Sequence, residues 1–406
     1  MEQKQQIDIK FIKKNLNLQS WINFLSGMTF LIPVITLLYT YVGLSIPQII
    51  LIANVGSLVV FLFELPTSVF ADTVGRKKSL VTAVICNLLS ALTIVIFPHY
   101  WGFIIASFFW GLYFAFRSWT GQAFLEDNLR HIWEEKKFGK AIWHLMALET
   151  IAGLVVSLVV SWIIKRLGES NGYATLAILD AIFALSLVVL TLQLKEVNPI
   201  QEKLSSIKKI IIKNYETAKT ALKNVFWNKN MKTFLIYRSL ANHVAFLFII
   251  SLPLRLEAWM EPWLAGILWI ISTIAIFLAN KYAYKAGEKW SYNHVWVFST
   301  IAQAILLIFV AFFLKSWIMI TIVMVLFNFF EGLRMPAWNH VLVGQTRWIA
   351  TATTRSVIFA IFALYTTVGK QILAVFPVEY ALIWLGIFII IVNIVLGKKI
   401  IALKEV

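Results

Sequence analysis

The residues best placed to do chemistry in this 406-residue chain are charged side chains standing inside long apolar runs: Arg117, Glu149, Asp180, Arg238, Glu331 and Arg334. A charge withdrawn from water is costly and persists where it faces a partner, a water-filled cavity or a solute. A carboxylate so placed can exchange protons, whereas an arginine can hold an anion or pin a carboxylate. Glu149 heads a stripe with Gly153, Ser157 and Ser161 at four-residue spacing. Small residues in that rhythm let helices approach closely, so the stripe reads first as a packing seam. Glu149 at its end is the leading candidate for a proton-exchanging group, and Asp180 is the second. Glu331 and Arg334, three apart, share a helix face and can neutralise each other or serve solute and coupling. Arg117 shares a face with Tyr113 and Gly121 and can reach a solute or pair with Glu149. With Arg238 and the deep tryptophans Trp119 and Trp269, these arginines and Glu331 form the expected lining of a central cavity.

Other chemistries find little in the sequence. His99, His131, His144, His243, His294 and His340 are scattered without metal-ligand spacing. No glycine-rich phosphate loop ending in Lys-Ser or Lys-Thr occurs, which argues against ATP hydrolysis by this chain. The single cysteine, Cys86, rules out an internal disulfide and a cysteine-based zinc site. No metal, no cofactor and no enzymatic activity are expected.

The elements that must position these side chains are membrane spans. The chain is 60% hydrophobic and 14% charged, with a mean hydropathy of +0.80, against roughly 25% charged in soluble domains. A hydrocarbon core needs roughly 20 apolar residues per helix. About twelve such segments occur, near 20–43, 47–70, 79–98, 101–125, 140–164, 173–194, 232–254, 262–283, 291–314, 316–342, 353–376 and 379–397. Backbone groups in lipid must pair within the segment, so the expectation is an all-α integral membrane protein. The net charge of +16 lies between spans and not on a soluble face, so it marks topology and not a nucleic-acid partner. One set of loops carries Arg76 to Lys78, then Arg130 to Lys140, the run Lys195 to Lys232, then Lys281 to Lys289, then Arg347 and Arg355. The opposite loops carry Lys165, Arg166, Arg255 and Lys315, and this alternation puts both termini in the cytoplasm.

The one long connection divides the chain: a tail at 1–19, a six-helix half at 20–194, a basic linker at 195–231, a second half at 232–397 and a tail at 398–406. In the linker, Ile207, Ile210, Ile211, Tyr215, Ala218 and Leu222 recur at helical spacing among lysines, which suits a helix lying on an anionic inner leaflet. Met1 to Gln19 lacks the apolar core of a signal peptide and reads as retained. The Ile- and Lys-rich usage suggests a bacterial source, and the expected location is the cell (plasma or inner) membrane.

Between spans two and three runs Glu64-Leu65-Pro66-Thr67-Ser68-Val69-Phe70-Ala71-Asp72-Thr73-Val74-Gly75-Arg76-Lys77-Lys78. Pro66 is expected to end or kink span two, Gly75 to allow a tight turn, and Arg76 with Lys77 to anchor the basic edge. This loop resembles the signature of the major facilitator superfamily through Asp72, Gly75, Arg76 and Lys77, with Ser68 in place of the usual first glycine and Thr73 in place of a common arginine. The second half's equivalent, Tyr284 to Lys289, keeps a glycine and bases but lacks the Asp. The resemblance implies two pseudo-symmetric six-helix bundles around a central cavity. It also implies that Asp72 locks the halves against the start of span eleven, and that Arg76 bridges to Glu126 or Asp127.

The pattern is most similar to bacterial drug/proton antiporter-like exporters, whose span-four arginine Arg117 resembles. The Gly-Pro pair of their span five and the acid of their span one are absent here. The implied activity is secondary transport by alternating access: export of small organic or amphipathic compounds, coupled to protons, by a monomer. Uptake of a sugar or metabolite is the alternative within the fold. A non-transporting receptor or assembly partner is the alternative outside it.

Overall fold

The computed structural model describes residues 2–132, 138–196, 219, 223, 227–240, 263–346 and 378–403. Every described element is helical. Span one is broken: α1 (Glu2–Ser26) is followed by an irregular stretch, a short 3-10 turn (Ile32–Val34) and α2 (Ile35–Tyr41). The other spans of the first half are α3 (Ile46–Val74), α4 (Arg76–Ile96), α5 (Tyr100–His131) and the 55-residue α6 (Phe138–Leu192). The last holds spans five and six, joined at Gly168 by a single non-helical residue with φ of 73°. The second half has α7 (229–240), α8 (Trp263–Trp290), α9 (Tyr292–Phe312), α10 (Trp317–Thr346) and α11 (Val378–Val392). A π turn leads α11 into α12 (Lys398–Ile401). Predicted span eleven and nearly all of the linker, with its inner-leaflet helix, lie outside the described residues.

Two boundaries differ from expectation. Pro66 does not end span two, because α3 runs through it to Val74. Residues 1–19, read as a tail, are mostly helix continuous with span one, and within them Ile12, Asn15, Leu18 and Gln19 are buried. The stretch looks polar because its inward face is partly amide. Asn15 Nδ2 donates to Asn128 Oδ1 (2.9 Å) and to the Lys195 carbonyl (2.8 Å), and Gln19 Nε2 donates to the Gly121 carbonyl (2.8 Å). Those bonds tie the start of the chain to the ends of α5 and α6. By contrast Trp21, Trp101, Trp317 and Trp384, near span ends, are exposed, as interfacial belt residues are.

The halves meet along the small-residue stripe. Ser157 and Ser161 face Gly266 of α8, where a Cβ would collide with Ser161 Oγ and come within 2.6 Å of the Ser157 carbonyl. The stripe is therefore a seam between halves and not within one. At its outer limit Lys165 Nζ lies 4.3 Å from the centroid of the Trp263 ring, and Ile50 packs with Ala381. These contacts lie at the end opposite the basic loops, hereafter the far end.

Candidate functional site

The break in span one is the centre of the site, and its backbone accounting explains its shape. Buried N–H groups in a membrane need acceptors. Gly27 and Met28 donate back to α1 carbonyls and Thr29 to the Gly27 carbonyl, but the N–H groups of Phe30 and Leu31, both buried, take their acceptors from another span. Asp180 of α6 supplies both: the Phe30 N–H donates to Oδ1 (2.6 Å) and the Leu31 N–H to Oδ2 (3.1 Å). The carboxylate thus stands at the start of the 3-10 turn and α2, where the helix dipole favours an anion.

The other side of the break meets a cation. Arg117 of α5 donates to Ser26 Oγ (2.8 Å) and Asn23 Oδ1 (3.2 Å) at the C-terminal end of α1, the end that favours positive charge. Its guanidinium lies 3.5 Å from Glu149 Oε1 and 5.6 Å from the Tyr113 ring centroid. Gly27 is seated on α6 so closely that a Cβ would collide with the Glu149 carbonyl and lie 2.8 Å from Ala152 Cβ. Both carboxylates singled out as proton-exchanging candidates therefore flank one broken span.

A cavity of about 520 Å³ opens between the halves, within the range of small-molecule sites. The first half contributes the break itself, with Ser26 and Thr29, together with Ser57, Asn87, Trp110 and Asp180; the second contributes Trp269, Ser272, Asn328 and Glu331. Of the six residues expected there, Trp269 and Glu331 line the wall. Arg117 is turned to the break and Glu149. Trp119 packs on a cluster of the second half that includes Tyr237, Trp296 and Trp338. Arg238, 4% exposed, stacks over Trp338 with 3.5 Å between its guanidinium carbon and the ring centroid. Arg334, 1% exposed, stands behind Glu331, its Nη2 2.6 Å from Oε2, and Gln303 Nε2 donates to the same oxygen at 2.9 Å. The sequence misplaced these arginines because depth in a span says nothing about which face turns to the cavity.

At the basic end, Gly75 makes the turn between α3 and α4 with φ of 117°, a conformation that favours glycine. Arg76 pairs with Asp127 and donates to the Ala123 carbonyl. Glu126 pairs instead with Arg130 one turn along its own helix (2.9 Å). The side chain of Asp72 and the start of span eleven lie outside the described residues. Lys77 has a partner that sequence reasoning missed: its backbone N–H donates to Glu196 Oε2 at 2.8 Å, just past the end of α6. A signal was available, since the first turn of α4 holds Arg76, Lys77 and Lys78 with no acid, the wrong charge for a helix N-terminus, and so calls for an anion from elsewhere. Glu196→Ala is expected to lower stability by about 0.5–2 kcal/mol, the ordinary value of an N-terminal cap, read as a fall in the thermal midpoint of the purified protein.

The second half's copy of this junction lies elsewhere than expected. Its positive-φ residue is Ser291 (φ of 73°), between α8 and α9, and Gly287 lies inside α8 beneath the Tyr292 ring. Counted from Ser291, the position three residues earlier is Glu288, as Asp72 precedes Gly75. At this junction Tyr292 stacks on His340 of α10, with centroids 4.0 Å apart at 17°.

Comparison with known proteins agrees with this architecture. The chain is similar to the nucleoside transporter NupG, solved as a variant (TM-score 0.71, 13% identity, covering 97% of this chain and 100% of that one). It is also similar to a D-xylose–proton symporter (0.76, 12%, 97% and 98%) and to a POT family transporter in complex with 5-aminolevulinic acid (0.76, 13%, 95% and 96%). At such identities the likeness is one of fold, that of twelve helices in two six-helix bundles. No curated protein sequence matches the chain. The sequence itself matches the model of the Major Facilitator Superfamily over residues 17–370. With the Gly75-Arg76-Lys77 turn, the two halves and the cavity between them, this coverage makes the chain a member of the Major Facilitator Superfamily, a multi-pass membrane transporter of small solutes.

Proposed function

We propose that this chain exports small organic or amphipathic compounds in exchange for protons, by rocking of one six-helix half against the other. The observation that carries this reading is the broken first span on the cavity wall, held by Asp180 at one side and by Arg117 with Glu149 at the other. Discontinuous spans at mid-membrane are where transporters place solute and coupling-ion sites. Protonation of Asp180 weakens the acceptor of two backbone N–H groups, and protonation of Glu149 frees Arg117. Either event loosens the same break, so a proton on the carboxylates and a solute in the cavity act on one hinge. In this reading the basic end faces the cytoplasm of a bacterial inner membrane, Arg76, Asp127 and Asp72 gate that side, and the protein works as a monomer with its linker on anionic lipid.

The test is transport by the purified protein in proteoliposomes with an imposed proton gradient, using a panel of chemically diverse compounds. Gradient-driven movement of a compound with counter-movement of protons is expected for the wild type. In Glu149→Gln and Asp180→Asn, gradient-driven transport is expected to fall at least tenfold while solute-for-solute exchange persists, because exchange needs no net protonation. Unchanged gradient-driven transport in both variants would remove Glu149 and Asp180 from the coupling mechanism, and absence of any gradient-driven movement in the wild type would remove proton coupling itself.

A further inference from the structure

The cavity wall carries information about its solute that the transporter reading alone does not supply. Its charged members among the described residues are Asp180 and Glu331. Arg117 is tethered to Ser26 at the break and Arg334 to Glu331 behind the wall, and neither is among the residues that line the cavity. Glu331 is bonded asymmetrically: Arg334 and Gln303 both donate to Oε2, and Oε1, on a side chain that lines the cavity, receives no donor among the described residues.

A second, independent observation lies across from it. Ser272 of α8 lines the cavity, is 5% exposed, and its Oγ has no hydrogen-bond partner among the described residues. A hydroxyl withdrawn from water in this way costs free energy until a partner is supplied. Trp269, three residues earlier on the same helix face, also lines the cavity. The two helices are in close contact at this level: a Cβ on Gly332, next to Glu331, would lie 2.6 Å from the carbonyl of Ile276, one turn from Ser272.

We infer that Glu331 Oε1, Ser272 Oγ and the Trp269 ring form a binding corner for an organic ammonium with an apolar body. The ammonium donates to Oε1 in a charge-assisted bond, and the Trp face stabilises the same charge. Ser272 takes a further N–H or a polar group of the solute, while the apolar remainder of the wall accommodates the body. A carboxylate solute would meet two carboxylates and no cation among the described lining residues. This assignment rests on the transporter reading for its biological meaning but not for its geometry.

The experiment is binding to the purified full-length protein in lipid nanodiscs, using matched triples that differ only in charge: 4-phenylbutylamine, 4-phenylbutanol and 4-phenylbutyrate, with naphthyl and tricyclic counterparts. In at least one series the amine is expected to bind at least tenfold tighter than its alcohol and its acid. Glu331→Gln is expected to weaken the amine at least tenfold, the scale of one charge-assisted hydrogen bond, and to erase the preference over the alcohol. Ser272→Ala, which removes one oxygen and leaves the Glu331 network intact, is expected to weaken the amine severalfold. If no amine binds, if acids bind as well as amines, or if the preference survives Glu331→Gln, the inference is overturned. Transport of an anionic solute by the same preparation would overturn it while leaving the transporter reading intact. Amine binding with the expected variant pattern but without transport of any compound would uphold the corner and sink the export reading instead.

Discussion

Asp180→Ala is expected to be among the most damaging single substitutions in the first half, and to act through a segment far away in sequence. It removes the acceptor of the Phe30 and Leu31 N–H groups, 149 or more residues distant along the chain. Each orphaned buried donor costs about 1–3 kcal/mol, so a loss of about 2–6 kcal/mol is expected. Two measurements separate this from general misfolding. Backbone hydrogen exchange in the stretch 27–34 is expected to accelerate strongly in the variant while exchange in α9 is unchanged. Asp180→Asn, which retains one carbonyl oxygen as an acceptor, is expected to recover part of the lost stability but none of the gradient-driven transport. If Asp180→Ala melts like the wild type and its 27–34 amides exchange no faster, the carboxylate is not what holds the break.

That role was only half legible in the sequence. Asp180 stood out as a charge in an apolar run, because the cost of burying a carboxylate makes any such residue conspicuous. Its partners are backbone groups, which every residue carries, so nothing in Phe30 or Leu31 announces them. The break itself was hidden for a related reason: residues 20–43 are apolar enough to read as one uninterrupted span, and only Gly27 and Pro33 mark the place. The spans, by contrast, were legible because hydrophobic length is a property of the local sequence. So was the Gly75 turn, where a positive φ demands a particular residue type. The pairing of Arg76 with Asp127 was narrowed to two acids and then decided by geometry, Glu126 being taken by Arg130 on its own helix. In the second half the glycine was a false guide, since Gly287 serves packing against Tyr292 and the turn is made at Ser291. A turn motif names its glycine only when the backbone conformation, and not the space, is what requires it.

The seam between the halves leads to the second large effect. Alternating access requires the far end to close and to open again, and closure there needs α6 and α8 at a separation that only small residues permit. Gly266 admits no Cβ without displacing Ser161 Oγ and the Ser157 carbonyl. The hydroxyl can rotate away, but the carbonyl is part of the helix and cannot move alone. Gly266→Ala is therefore expected to slow transport, and Gly266→Leu, which adds a branched side chain to the same space, to abolish it. The expected cause is a change in population and not unfolding. With the closed seam made unfavourable by several kcal/mol, the state in which the far end is open gains at its expense, and a shift of about 5.5 kcal/mol suffices to turn a 99:1 mixture into its inverse. In a Cys86→Ser background, a cysteine introduced at Ser157 is expected to be protected from a membrane-impermeant thiol reagent in the parent and reactive in Gly266→Leu, with thermal stability of the first half preserved. Ser161→Gly removes the movable part of the obstruction and leaves the carbonyl, so it is expected to restore part of the activity of Gly266→Ala and none of that of Gly266→Leu. Full transport by Gly266→Leu, with the reporter still protected, would mean that the far end does not close through this seam.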